Sequence, residues 1–132
     1  LDIAARRLQV DRVVAEAVAP GVKSIRHDAS LDQWAMPTVQ FIAREQRLLI
    51  QNDVSSDGPA VSPALVQVYG VQAQMLGALL HDGQMYGWIS VHQVGRARDW
   101  TDADIAALEN ACERAHGTIL HQTHCTEALD VA

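Results

Sequence analysis

Residues 71–94 read VQAQMLGALLHDGQMYGWISVHQV. The centre of this stretch is His81-Asp82-Gly83. Asp-Gly supplies the positive φ values of a tight two-strand turn, because Gly has no Cβ and Asp tolerates the left-handed region. The flanks alternate in polarity with the period of two expected of half-buried strands. They predict antiparallel strands over about Val71–Leu80 and Gln84–Val94. In the second arm, alternation puts Met85, Gly87, Ile89 and Val91 on one face. Tyr86, Trp88, Ser90 and His92 fall on the other. That second face carries an indole, a hydroxyl and an imidazole. It is either the wall of a pocket or the side that meets a helix.

Downstream, Thr101 caps a helix start, and Asp102 and Asp104 suit the positive end of its dipole. Ile105, Leu108, Cys112, Ala115 and Ile119 follow at spacings of 3, 4, 3 and 4, a heptad seam. The seam packs on the domain's own sheet or also pairs with a second chain. Upstream, ALVQVYG is a short helix stopped by Gly70. SSDGPAVSP is a loop, and RLLIQNDV a buried strand. In SLDQWAMPTVQFIAREQ, Pro37 suits the first turn of a helix. A strand is expected over about Arg12–Ala19, then a Pro20-Gly21 turn, then a second short strand in VKSIRHD. Leu1–Leu8 reads as the tail of a helix. Hairpins of strands interspersed with helices make an α+β domain. The expected architecture is a mostly antiparallel central sheet, with terminal helices on one face and a capped ligand cavity on the other.

The chain has 132 residues, 48% of them hydrophobic and 20% charged, enough for one ordinary core. Its formal charge of −6 makes it a poor counterion for phosphates, which argues against direct nucleic-acid binding. No apolar run is long enough to span a membrane. Two cysteines, Cys112 and Cys125, do not make a disulfide framework, and a cytoplasmic protein is expected. The start at Leu1 without Met reads as a piece of a longer protein. Residues 1–120 are taken as one domain, and 121–132 as a helix end or linker toward an output domain outside this chain.

Three stretches in this order carry a resemblance: RLLIQNDVSSD, YGVQAQMLGALLHDGQMYGWISVHQ and RDWTDADIAALENACERA. A strand ending in Asp-Val, a Gly-Val-x-Ala step, an Asp-Gly hairpin and a Trp-Thr helix start together resemble a GAF domain, of the phytochrome and cyanobacteriochrome flavour. The resemblance covers about Leu1–Ile119. It implies a GAF/PAS-like sheet and a small-molecule-sensing regulatory module of a sensor kinase, transcription regulator or related protein. It also implies a homodimer through the N- and C-terminal helices. In bilin-binding relatives the His of Trp-Gly-Leu-x-x-x-His lies against the chromophore, so His92 inherits a pocket role by resemblance. Two departures argue against covalent bilin. Val61-Ser62 stands where a Cys-His pair is common, and no Cys lies between Leu1 and Ala111. Ala35-Met36-Pro37 stands where phytochromes have Asp-Ile-Pro. The Asn-Lys-x-Phe-Asp-Glu set of cyclic-nucleotide GAF domains is not visible. No cofactor is therefore identified, although an unknown small molecule is expected to bind.

The candidate ligand-binding residues are Trp34, Met36, Phe41, Tyr69, Met75, Trp88, Ser90 and His92. The last three share a strand face, and the others come from the segments expected to cap it. Each has a structural alternative: aromatic packing for Trp88, core for Trp34, Met36 and Phe41. Large side chains could equally fill the cavity and leave a ligand-free dimerisation module. Catalysis is not expected. A methionine-sulfoxide reductase needs thiols at its pocket, whereas Cys112 and Cys125 lie on or beyond the last helix. His121, His124 and Cys125 stand at i, i+3 and i+4 without an evident fourth ligand, and no metal site is assigned.

Overall fold

The computed structural model describes residue 13, residues 15–28 and residues 30–125, with side chains as far as residue 117. Its elements in order are α1 (Pro37–Glu45), β1 (Leu49–Gln51), α2 (Pro63–Gln67), β2 (Val71–His81), β3 (Gln84–Val94) and α3 (Asp102–Cys125). The expected helix over Leu1–Leu8 lies outside the described residues.

The β2–β3 hairpin forms as the sequence predicts. His81 pairs with Gln84 across a two-residue turn. Asp82 has φ 52° and Gly83 φ 77°, the two left-handed residues such a turn requires. β1 pairs antiparallel with β2, Leu49 opposite Leu76 and Gln51 opposite Gln74, giving the order β1-β2-β3. A mostly antiparallel sheet with mixed helices is thus the observed architecture.

Two bulges interrupt the hairpin, between Val71 and Ala73 and between Leu79 and Leu80. At the second, Leu79 faces Gly87 and Leu80 faces Met85, so Tyr86 is the unpaired residue. An extra residue reverses the alternation beyond it. Met85 therefore shares the α1 face with Trp88, while Tyr86 turns to α3, where its Oη lies 2.7 Å from His116 Nδ1. The expectation that Tyr86 shares a face with Trp88, and Met85 with Ile89, is corrected by that bulge.

Each sheet face has its own core. On one, Leu31, Met36, Val39, Ile42, Leu65 and Tyr69 pack from the helices and loops onto Leu49, Val71 and Leu76. On the other, Leu108 and Trp100 pack on Ala73 and Met75, with Ile105 and Cys112 beside them. Ile105, Leu108 and Cys112 of the heptad seam are thus used against the domain's own sheet. The approach is close: a Cβ on Gly77 would stand 2.6 Å from Cys112 Sγ and 3.0 Å from Leu48 Cδ2.

The N-terminal hairpin expected from Arg12–Ala19 and VKSIRHD is not formed among the described residues; positions 12 and 14 lie outside them. The Pro20-Gly21 turn is present, with Val22 N–H donating to Ala19 O at 3.1 Å and Gly21 at φ 83°. Beyond it, side chains take hydrogen bonds in place of a ladder, Glu16 across the turn and Asp28 locally. Glu16 accepts from the Ser24 hydroxyl and from Ile25 N–H at 3.0 Å. Asp28 accepts from Ser30 N–H at 2.9 Å. Such side-chain bonds compete with strand pairing.

Candidate functional site

The sheet face turned away from α3 carries a small cavity. The pairs Gln74–His92, Leu76–Ser90 and Ala78–Trp88 stand side by side on β2 and β3. Gln74, Leu76, Trp88, Ser90 and His92 form the floor, and Met36, Thr38, Val39, Leu65, Gln33 and Ile25 close over it. Its volume is about 10 Å³, the space of one water-sized sphere. Ser90 is exposed, so the cavity reaches the surface there. The bulge at Tyr86 builds the site, because without it Trp88, Ser90 and His92 would face α3.

Of the eight residues predicted from sequence, Met36, Trp88, Ser90 and His92 line this cavity. Trp34 flanks it, its ring centroid 6.2 Å from that of Trp88 and tilted 46°. Phe41 packs on the edge of the same core, beneath the guanidinium groups of Arg47 at 5.0 Å and Arg44 at 5.9 Å. Tyr69 is buried, and its hydroxyl donates to the Asp28 carboxylate, pinning the segment before α1 to the end of α2. Met75 faces α3, in the opposite core. Parity decides this: Met75 is adjacent in β2 to Gln74 and Leu76, both of which face the cavity.

Sequence reasoning missed Gln74, Thr38 and Gln51. Gln51 and Gln74 are 0% and 1% exposed, deep polar side chains in otherwise apolar strands. Gln51 Nε2 donates to Asp57 O and, at 2.9 Å, to Pro59 O, while Gln74 Nε2 donates to Gln51 Oε1 at 2.7 Å. The visible signal was the glutamine in RLLIQ and the alternation of VQAQM. Their meeting depended on a register that the bulges set.

Electrostatically the cavity is neutral. His92 is its one titratable lining residue. Burial pushes the imidazole below its ordinary value, and the nearby Glu16 carboxylate only partly opposes that. Glu16 is itself pulled two ways. Burial raises it, but the Ser24 hydroxyl and the main-chain N–H groups of Ile25 and Arg26 outweigh burial and hold it down.

A second network ties the sheet to α3. Trp100 Nε1–H donates to Gln51 O at 3.1 Å, and Trp100 N–H to Asn52 Oδ1 at 3.1 Å. The Arg98 guanidinium stacks 4.5 Å from the Trp100 ring and reaches both Asp104 oxygens at 3.1 Å. Asp104 closes a capping box, accepting from Thr101 N–H at 3.0 Å while its own N–H donates to Thr101 Oγ1 at 3.1 Å. The Thr101 main chain, then burial in opposition, then Arg98 leave the Asp104 carboxyl below the usual range. Gln51 thus touches the cavity floor with its side chain and the α3 start with its carbonyl.

Cys112 lies across the sheet from the cavity, over Gly77, where burial raises its thiol. Cys125, His121 and His124 have side chains outside the described region. No group of three metal-ligating side chains occurs among the described residues, and none of their helices is long and apolar enough to cross a membrane.

Solved structures share this fold. The cyanobacteriochrome TePixJ GAF domain matches with a TM-score of 0.65 and 20% identity, covering 85% of this chain and 70% of that one. A far-red-absorbing dark state solved with bound biliverdin IXα matches with a TM-score of 0.58 and 13% identity, over 80% of this chain and 69% of that one. The type II free methionine-R-sulfoxide reductase from Thermoplasma acidophilum matches with a TM-score of 0.53 and 13% identity, over 68% and 60%. At these identities the likeness is one of fold. No curated protein matches the chain. The family model of the GAF domain matches residues 1–119, and with the antiparallel hairpin, the capped sheet face and the long terminal helix all in place, the chain belongs to the GAF domain family.

Proposed function

We propose that this GAF domain is a non-catalytic small-molecule sensor of a bacterial signal-transduction or transcription-regulatory protein. The observation that carries the reading is the convergence of Met36, Trp88, Ser90, His92 and Gln74 on one cavity, on the face opposite α3. Ligand sites are concave, largely apolar and marked by a few placed polar groups, which describes this lining. Gln51 joins that floor to the Trp100 indole at the α3 start, so a ligand that prefers one placement of the floor biases α3. The long helix is the output, and two copies associate through their terminal helices in the cytoplasm.

The reading without catalysis is supported by where the described thiol lies. A thiol enzyme needs its nucleophile at the pocket, and Cys112 is on the far side of the sheet. Covalent bilin is disfavoured for the same reason, since Val61 and Ser62 offer no thiol beside the cavity. A second reading has its own support. With Trp34 tilted against Trp88 and only about 10 Å³ left, the site also fits a plugged, ligand-free dimerisation domain.

Native mass spectrometry of the purified domain, before and after denaturation, separates the two. Sensing predicts a noncovalent small molecule that is lost on denaturation and is retained less well by Trp88→Ala and His92→Ala, variants that stay folded. A bare polypeptide mass, with both variants unfolded, favours the plugged domain.

A further inference from the structure

The orientation of the two buried amides can be worked out from the main chain inward. Asp57 O and Pro59 O are carbonyls and can only accept. The Gln51 side chain must therefore turn its Nε2 to them, which leaves Oε1 facing Gln74. Oε1 is also only an acceptor, so Gln74 must present Nε2 to it. The remaining atom, Gln74 Oε1, is an acceptor held in place by two upstream constraints. It belongs to a side chain 1% exposed that lines the cavity, and among the described residues it accepts no hydrogen bond. A buried acceptor left unpaired is costly.

The surroundings narrow what can satisfy it. Thr38, 2% exposed, and Ser90 bring hydroxyls, and His92 stands opposite Gln74 across the strand pair. No ammonium, guanidinium or carboxylate lines the space. Glu16 acts on His92 from nearby and adds negative potential, unfavourable to an anion. The volume admits a single donor group, and the rest of a ligand would lie toward the exposed Ser90 and the Trp88 face.

Building on the sensing function proposed above, we propose that Gln74 determines the specificity of this cavity, selecting an uncharged ligand that offers an N–H donor beside a carbonyl, such as a lactam or cyclic amide. The ligand N–H pairs with Gln74 Oε1. Its carbonyl accepts from the Thr38 or Ser90 hydroxyl or from neutral His92. Gln51 is a positioning residue, which fixes the Gln74 amide without touching the ligand.

Pyrrolidin-2-one and N-methylpyrrolidin-2-one test this, because methylation replaces the donor hydrogen, and the Gln74→Met variant separates that loss from the bulk of the methyl group. Each is titrated into the wild-type domain at millimolar concentrations, with the Trp88 indole and Gln74 side-chain amide signals followed by NMR. The expected result is that the lactam moves both signals and the N-methyl compound binds roughly ten- to a hundredfold more weakly, the cost of an unpaired buried acceptor. Pyroglutamate, the same lactam with a carboxylate, is expected to bind as weakly as the N-methyl compound. In Gln74→Met, similar in length but without the acceptor, the two lactams should bind alike. Equal binding of both lactams to the wild type overturns the role of Gln74, yet leaves a sensing pocket at Trp88 standing. Silence of both signals with both lactams overturns the ligand class, while the copurification experiment decides sensing independently. The wild-type comparison needs no variant, so misfolding of Gln74→Met would not rescue the proposal.

Discussion

His92 is where burial and titration meet. Its folded pKa lies below the ordinary imidazole value of 6.5 because the half-buried ring is desolvated. The unfolded chain therefore takes up a proton at this position before the folded one does. The sign follows: stability is complete above that value and is lost as pH falls from about 6.5 toward the lower folded pKa, with a slope of at most roughly 1.4 kcal/mol per pH unit. Thermal melts at about pH 7.5 and about pH 5.5 should show a larger drop for the wild type than for His92→Gln. Equal drops would mean that the ring gains a proton freely in the folded state. This residue was legible in the sequence because strand alternation groups it with Trp88 and Ser90. Gln74 was not, since the sequence does not show which amide meets which carbonyl. Met75 was misjudged for a simpler reason: it borders the loop in sequence, but one step along a strand changes the face.

At the scale of elements, the Asp-Gly turn made the hairpin legible, because few dipeptides place two consecutive residues in the left-handed region. The bulge at Tyr86 was not read from the sequence. Gly87 stands directly beside it, but a strand glycine marks a close approach as readily as a bulge, and Tyr86 and Met85 both suit either face. The N-terminal hairpin failed for the opposite reason. Its valines have β propensity, but the Glu16 carboxylate takes the Ser24 hydroxyl and Ile25 N–H across the turn, and Asp28 takes local main chain, in place of a ladder. The tightest joint between elements is Gly77 against Cys112. Gly77→Ala should destabilise by about 1–3 kcal/mol, the usual range for overpacking, because its Cβ would meet Sγ at 2.6 Å. Cys112→Ala removes that sulfur, so the double variant should recover part of the loss, a coupling that denaturant titration of all four proteins measures. Additive losses would place the strain at Leu48 instead. The same joint explains why a charge at Cys112 would damage the domain itself and cannot serve as a probe of association. At the other end of α3, Asp104→Ala removes both the capping-box acceptor and the Arg98 partner. Amide exchange should then rise in the first turn of α3 and leave the β2–β3 hairpin unchanged. Protection lost across the hairpin as well would show that the clasp holds the whole sheet.

For the whole molecule, the geometry of α3 bears on assembly. The helix runs along the sheet and reaches the hairpin end at His116, where Tyr86 and His81 meet it with ring centroids at 5.7 and 6.0 Å. It continues to Cys125, nine residues further (125 minus 116), or about 14 Å of helix past His116. The heptad seam runs through both stretches. Ile105, Leu108 and Cys112 hold the sheet, and Ile119 continues the spacing of the seam beyond His116. A seam whose apolar spacing continues beyond the residues used on its own sheet is of the kind that pairs with a second helix. Homodimerisation through the terminal helices is the proposal that uses this stretch, and the symmetric pairing of two α3 ends is its simplest form. Ala115, half-buried at the junction of the two stretches, is the position to test. Sedimentation equilibrium over a wide concentration range should show a wild-type dimer, and Ala115→Glu should shift it toward monomer while the Trp88 and His92 signals of the folded sheet persist. A wild type that stays monomeric at the highest concentration, in a form extended at both ends, removes the dimer and leaves the end of α3 as a rigid connector alone.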